Sequence, residues 1–299
     1  MSIRTNAEFV YLAGITGKLH LVPSGMEEIM RECFDVPEKP SSIQLPKPER
    51  YEFEVGVPVS GGLDSTACYL MAKRTGKKVI PVYFDFGQEY REKELKALEK
   101  IGITPEYVDL RSLLDTGFGN KYAGEWQHII PARNLVILCS VADKMTAGEI
   151  YFGAVEGELK DNNGGDKSRY FLLKLNTVLA DYNKTVVVKT PLEHMTKGDI
   201  GRWFLDNGYE AEFDATISCF SGGEGHCGKC QACFRKLLAC HAIGKKFEAE
   251  ETVVANGTPF AVKYFRNMST AMNSGDFSEY SERRCREDMS AISAFFPEL

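Results

Sequence analysis

Two groups of residues in this 299-residue chain have types and spacing that could do chemistry. The first is Val57-Pro-Val-Ser60-Gly61-Gly62-Leu63-Asp64-Ser65-Thr66, which closes an apolar run and opens a helical one. Two glycines let backbone N–H groups approach an anion, and a helix start adds unpaired donors and the positive end of its dipole. The hydroxyls of Ser60, Ser65 and Thr66 add further donors, so the segment Ser60, Gly61, Gly62, Leu63, Asp64, Ser65, Thr66 reads as a polyphosphate cradle. Asp64 supplies the carboxylate that a hard Mg²⁺ prefers. The loop has neither the lysine nor the four-residue spacer of a Walker-type motif, so γ-phosphoryl transfer is not implied. The plainer reading is a serine–glycine turn in which Asp64 or Ser65 caps a helix.

The second group is Cys219, Cys227, Cys230 and Cys233, spaced C-x7-C-x2-C-x2-C. Two-residue gaps let neighbouring sulfurs turn toward one ion, and Gly222, Gly223, Gly225 and Gly228 ease the bends. Four thiolates suit a tetrahedral, structural Zn²⁺ with no open coordination position. An iron–sulfur cluster, or His226 in place of one thiolate, is the competing reading. The remaining cysteines, Cys33, Cys68, Cys139, Cys240 and Cys285, are scattered and read as small core or surface residues.

The elements that must hold these groups alternate. Strand-like runs over 53–59, 78–84, 106–110, 149–153 and 186–189 are interleaved with helical patterns over 64–75, 89–101, 132–145 and 197–207; a further helix follows the cysteines at 234–243. Parallel strands need crossovers, so the expectation is α/β: a doubly wound, mostly parallel sheet with a four-cysteine zinc subregion and terminal extensions. Residues 1–50 read as an extension ending in a proline-rich linker at 37–48. The core domain spans 51–215, the zinc-binding region 216–244, and a polar C-terminal helical extension 245–299. Segment 160–168 reads as a polar loop, near a site or merely connecting.

Composition narrows the partners. An apolar fraction of 43%, a charged fraction of 26% and a net charge of −6, with pI near 5.6, describe a folded soluble chain without the basic field of a nucleic-acid binder. The sequence shows no signal-peptide layout and no apolar run of membrane-spanning length, so a cytoplasmic protein is expected.

The Ser-Gly-Gly-x-Asp-Ser spelling resembles the PP-loop of ATP pyrophosphatases, and Pro191-Leu192 with Lys197-Gly-Asp-Ile200 resembles their second phosphate-contacting segment. With the cysteine spacing, the stretch Tyr83-Phe84-Asp85-Phe86-Gly87-Gln88 and the helix entry Ile130-Pro131-Ala132-Arg133-Asn134, residues 55–243 resemble the 7-cyano-7-deazaguanine synthase family, QueC. The resemblance implies ATP with Mg²⁺, adenylation of 7-carboxy-7-deazaguanine, attack by ammonia to the amide, and a second activation to the nitrile, with possible homodimerisation. It implies catalytic roles for Asp64, Arg133 and Lys197, nucleotide contacts from the loop, Tyr83 and Lys197, and substrate contacts from Asp85, Gln88, Arg133, Asn134 and Glu156. Glu156 or Glu158 could accept from the N1–H and amino edge of a guanine-like base. Family members usually carry histidine shortly after Gly-Gln, where this chain has Glu89-Tyr90, and the stretch 154–161 also departs from their pattern. Together with the terminal extensions these departures leave other readings open: a relative joining the activated carboxylate to another amine, for example on a protein; a non-catalytic nucleotide- or zinc-binding module; or a PP-loop enzyme of tRNA sulfur chemistry.

Overall fold

The computed structural model describes residues 2–4, 9–13, 19–23, 52–113, 132–158, 165–182 and 185–299. The proline-rich linker, Ile130, Pro131 and most of the 160–168 loop lie outside the described residues. Near the N-terminus β1 (Ser2–Arg4), β2 (Phe9–Ala13) and β3 (Leu19–Pro23) form an antiparallel meander in the order β1-β2-β3. That order was not visible in the weak periodicity of the segment.

The main sheet has five strands: β4 (Glu54–Pro58), β5 (Lys78–Asp85), β6 (Glu106–Asp109), β7 (Ala147–Tyr151) and β8 (Thr185–Lys189). Their order is β6-β5-β4-β7-β8, and every pairing is parallel. The chain therefore starts in the centre, winds outward through β5 and β6, then returns to the other side of β4 with β7 and β8. This is the doubly wound arrangement expected, with its reversal between β4 and β7.

Helices supply the crossovers: α1 (Leu63–Arg74), α2 (Arg91–Ile101), a single turn α3 (Arg111–Leu113), α4 (Arg133–Asp143) and α5 (Arg169–Asp181), and α6 (Lys197–Asp206) follows the last strand. Side chains alternate across a strand, so β4 and β5 feed both faces. Val55, Val57 and Tyr83 join α1, α6 and the later helices in one buried cluster, while Ile80, Val82 and Phe84 join α4 and α5 in another. Helix α5 went unread in the sequence, although Ser168 caps it by accepting the Phe171 N–H at 3.1 Å and Leu172, Leu175 and Leu179 give it a buried stripe.

After the sheet come α7 (Glu210–Ala215), the cysteine loop and α8 (Gln231–Ala242), then α9 (Glu250–Asn256), α10 (Thr258–Ser274) and α11 (Glu282–Phe295). The C-terminal residues are more than a polar tail. Ala261, Met268, Cys285, Ala291, Ile292 and Phe296 are buried in the same cluster as α1 and α8, and Phe234 of α8 packs on Tyr264 and Phe296 at centroid distances of 5.5 and 6.1 Å.

Candidate active site and metal centre

Ligands of doubly wound sheets sit outside the carboxyl ends of the strands, where the winding reverses. A cavity of about 450 Å³ opens there. Ser60, Gly62, Leu63, Asp64 and Ser65 line it from the β4–α1 turn, and Phe152 and Gly153 from the end of β7.

The loop is held by its own hydroxyls. Ser65 Oγ accepts from Ser60 N at 3.1 Å and donates to Gly62 O at 3.2 Å, while Ser60 Oγ lies 3.2 Å from Ser65 Oγ. Gly61 has φ +69°, and a Cβ there would stand 2.9 Å from Ala97 Cβ, so only glycine fits the turn without strain. Gly61 itself and Thr66 do not line the cavity. Thr66 is 0% exposed, and its Oγ1 has no partner in the described residues.

Lys197 reaches the cavity from the first turn of α6, and its Nζ meets both Asp64 carboxylate oxygens at 2.5 Å. The sequence-predicted pair is thus brought together across 133 residues. Arg133 and Asn134 line the cavity from the start of α4, which follows Ala132 in the left-handed region at φ +57°, an uncommon conformation for a residue with a Cβ.

A polar network covers the end of β5. Gln88 accepts from Phe86 N at 2.8 Å through Oε1 and donates from Nε2 to Tyr83 Oη at 2.9 Å and Glu94 Oε2 at 2.8 Å. Tyr83 Oη donates to the same Glu94 oxygen at 2.8 Å. Tyr83, Gln88 and Glu94 all line the cavity. Burial pushes the Glu94 carboxyl up to about 7, against the pull of Gln88, Tyr83 and the Arg133 charge. Asp85 does not line the cavity. It is 0% exposed and accepts from Gly87 N and Arg91 Nε, each at 2.7 Å, and from the Tyr107 hydroxyl. Burial works against its ionised form, but these donors outweigh burial and hold its pKa below the ordinary carboxylate value. Asp85 therefore fixes the turn that presents Gln88.

The structure turns Glu156 away from the cavity toward Arg283, 3.3 Å distant, and places Glu158 on its wall instead. Glu158 accepts from Lys167 Nζ at 2.8 Å and Val155 N at 3.1 Å. Burial opposes its charge, yet Lys167 and Lys197 draw its pKa down to about 2, so it is a carboxylate at neutral pH. Tyr90, which the sequence marked only as a departure from the family pattern, lines the cavity, as do Glu94, Lys167, Arg235 and Lys236, which were not singled out from the sequence. Tyr90 lies 5.9 Å from the Phe220 ring. Five cationic side chains (Arg133, Lys167, Lys197, Arg235, Lys236) face three acidic ones (Asp64, Glu94, Glu158) on this wall among the described residues. That excess suits a ligand with several negative charges.

The four cysteines gather beside the cavity, and Cys219 lines it. The four sulfurs lie within 4.8 Å of one another, with Cys227 Sγ and Cys230 Sγ at 3.9 and 3.5 Å from Cys233 Sγ. A tetrahedral zinc with bonds of about 2.3 Å places its sulfurs about 3.8 Å apart, so the set fits such an ion. Amide donors support the sulfurs, Cys227 N to Cys219 Sγ and Lys229 N to Cys227 Sγ, each at 3.4 Å, and buried Lys93 Nζ stands 3.2 Å from Cys219 Sγ. Such donors offset the negative charge of a four-thiolate centre. His226 is not a member: its Nε2 accepts from Ser218 N at 3.0 Å and its Nδ1 lies 2.6 Å from Glu248. Cys219 lines the cavity, and Ile217 N donates to Gly61 O at 2.9 Å, so the metal loop and the phosphate loop are joined directly.

The family model described as queuosine biosynthesis protein QueC matches residues 55–244, which include both loops and every cavity residue named above. The chain belongs to the QueC family. Among QueC relatives, the 7-cyano-7-deazaguanine synthase of Nitratiruptor sp. is 31% identical over 211 residues, covering 63% of this chain and 94% of that protein. The synthase of Saccharolobus solfataricus is 29% identical over 235 residues, covering 68% of this chain and 48% of that longer protein. Of solved structures, the U34-tRNA thiolase NcsA from Methanococcus maripaludis aligns over 82% of this chain and 74% of its own, with 14% identity and a TM-score of 0.41. No helix among the described residues is long and apolar enough to cross a membrane.

Proposed function

We propose that this chain uses ATP to adenylate the carboxylate of 7-carboxy-7-deazaguanine and aminates it, through the amide, to the nitrile. The observation that carries the reading is one cavity, at the sheet's switch point, lined by the Ser60–Ser65 loop with Asp64 and Lys197 and also by Cys219 of the four-cysteine centre. The names of the relatives give the product, a 7-cyano-7-deazaguanine, and the carboxylate is the precursor that adenylation and amination would convert to it.

A carboxylate is a poor electrophile because its oxygen leaves badly, and transfer to AMP removes that obstacle. In the first step a carboxylate oxygen attacks the α-phosphorus and pyrophosphate leaves. Ammonia then displaces AMP from the acyl carbon with loss of a proton, giving the amide. The amide oxygen then attacks the α-phosphorus of a second ATP, pyrophosphate leaves, and departure of AMP with loss of two protons gives the nitrile. The Ser60–Ser65 amides and hydroxyls grip the phosphates, and Lys197 offsets charge on the departing pyrophosphate. Asp64 is the carboxylate that would hold Mg²⁺, which would neutralise phosphate charge. Arg133 and Asn134 orient the carboxylate, and Glu158 faces the guanine-like edge. Cys219, Cys227, Cys230 and Cys233 would hold a structural Zn²⁺, which would fix the loop that brings Cys219 to the cavity and take no part in the reaction.

A second reading has its own observation. Tyr90 and Phe220, their rings 5.9 Å apart, place aromatic surface on the wall that Arg133 also lines, which favours an amine other than ammonia, on a peptide for instance, and a reaction ending at the amide. The deciding experiment is product analysis by mass spectrometry with ATP, Mg²⁺, ammonium and 7-carboxy-7-deazaguanine, pyrophosphate being quantified alongside. Nitrile supports the first reading. Pyrophosphate with only adenylate or amide supports the second, and absence of turnover overturns both.

A further inference from the structure

The first turn of α6 has to satisfy its own N–H groups while delivering Lys197 to Asp64. Thr196 and Asp199 form a capping box: Asp199 N donates to Thr196 Oγ1, and Thr196 N to Asp199 Oδ2, both at 3.0 Å. That box does not reach Gly198 N. Its partner is Glu287 Oε1 of α11, 89 residues later, at 3.1 Å. The same oxygen accepts from Thr196 Oγ1 at 2.9 Å, and Glu287 Oε2 accepts from Arg202 at 2.7 Å. The Glu287 side chain is only 14% exposed. A Cβ on residue 198 would lie 2.4 Å from Glu287 Oε1, so glycine at that position is what admits the carboxylate.

The same turn of α11 also grips the turn that leads to Glu158 on the cavity wall. Arg283 donates to His194 O at 2.8 Å and pairs with Asp199 at 2.7 Å and Glu156 at 3.3 Å. Arg284 donates to Glu156 O at 3.1 Å, and Glu156 N donates to Met195 O at 3.2 Å. Two loops, one delivering Lys197 and the other Glu158, are thereby fastened to each other and to one helix. That helix lies past residue 244, where the family match stops.

We propose that α11 is a positioning clamp for the nucleotide site, in which Glu287, helped by Arg283 and Arg284, sets the place of Lys197 and of the turn leading to Glu158. The proposal rests on the reading of Lys197 as a phosphate contact. Glu287 touches no reacting atom; it acts through the start of α6. The C-terminal extension is then part of how this chain achieves catalysis, in addition to being part of its core.

The test uses the full chain with Glu287→Ala, Glu287→Gln and Gly198→Ala. Pyrophosphate release, melting temperature, metal content and hydrogen exchange of amides 195–199 are measured on each. Glutamine keeps an acceptor for Gly198 N and Thr196 Oγ1, whereas the alanine at 287 removes it and the alanine at 198 pushes it away. Expected are faster exchange at 195–199 and a fall in kcat on the order of 100-fold for both alanine variants, as a misplacement near 1 Å produces, with the KM of the carboxylate substrate, the melting temperature and the metal content near those of the parent. Glu287→Gln recovers most of the rate. Parental kcat in Glu287→Ala, or losses in all three variants that simply follow melting temperature, overturn the clamp. If the parent releases no pyrophosphate, the functional reading fails and exchange alone judges the clamp: unchanged protection in Glu287→Ala overturns it, faster exchange sustains it.

Discussion

Glu94 keeps a titratable carboxyl on the cavity wall. Its Oε2 holds Tyr83 and Gln88 together, and burial keeps the carboxyl protonated up to about pH 7, against an ordinary value near 4.5. Between those values the unfolded chain binds fewer protons than the folded one, so this group's contribution to stability falls as pH rises from about 4.5 to about 7 and stays low above it. Glu94→Gln removes that penalty: in urea titrations its stability relative to the parent should grow across this window and then level off. A difference that does not change with pH would show that Glu94 does not titrate there. Asp64 gives a sharper test of the proposed reaction. Asp64→Ala should lower pyrophosphate release by about 100-fold or more while leaving the metal content unchanged, and retained turnover would remove Asp64 from its assigned role.

At the scale of elements, the cysteine loop and the phosphate loop should behave as coupled parts. Cys230→Ser leaves three thiolates where four sulfurs lie within 4.8 Å of one another. Because metal binding is linked to folding, zinc content and folded yield should drop together. Nucleotide affinity should weaken in parallel, since Ile217 N hydrogen-bonds Gly61 O. A variant that loses zinc yet keeps full ATP affinity would contradict the coupling. This part of the molecule was legible from sequence, because Ser60–Ser65 and the four cysteines are local patterns whose spacing carries their geometry. The alternation of strands and helices was legible for the same reason, through apolar period. What escaped was non-local. Glu158 and Glu156 differ by two positions, and which of them faces the cavity depends on Lys167 and Arg283. Asp85 looked like a ligand contact, but Arg91 and Tyr107 claim its oxygens. Arg235 and Lys236 sit in a helical pattern where nothing in spacing tells a cavity-facing cation from a solvated one.

For the molecule as a whole, α9–α11 share a core with the sheet, so the chain should unfold as one unit. Phe296 is 5% exposed and packs on Phe234. Phe296→Ala should cost about 3–5 kcal/mol and shift a single transition seen by both far-ultraviolet circular dichroism and tyrosine fluorescence, whereas two separate transitions would mean that the extension melts alone. The polar character of 245–299 hid this association, since each helix exposes one face and buries a narrow one. The contact between Lys197 and Asp64 sets an order on what the molecule does with its partners. With both carboxylate oxygens already paired to an ammonium group, the resting chain carries its own counter-ion and should take up little Mg²⁺ from solution. A triphosphate competes for the lysine and releases the aspartate, so the divalent ion and the nucleotide should load together as one complex. Calorimetry with magnesium chloride alone should then give no binding heat, and the same titration after addition of a non-hydrolysable ATP analogue should give a clear one.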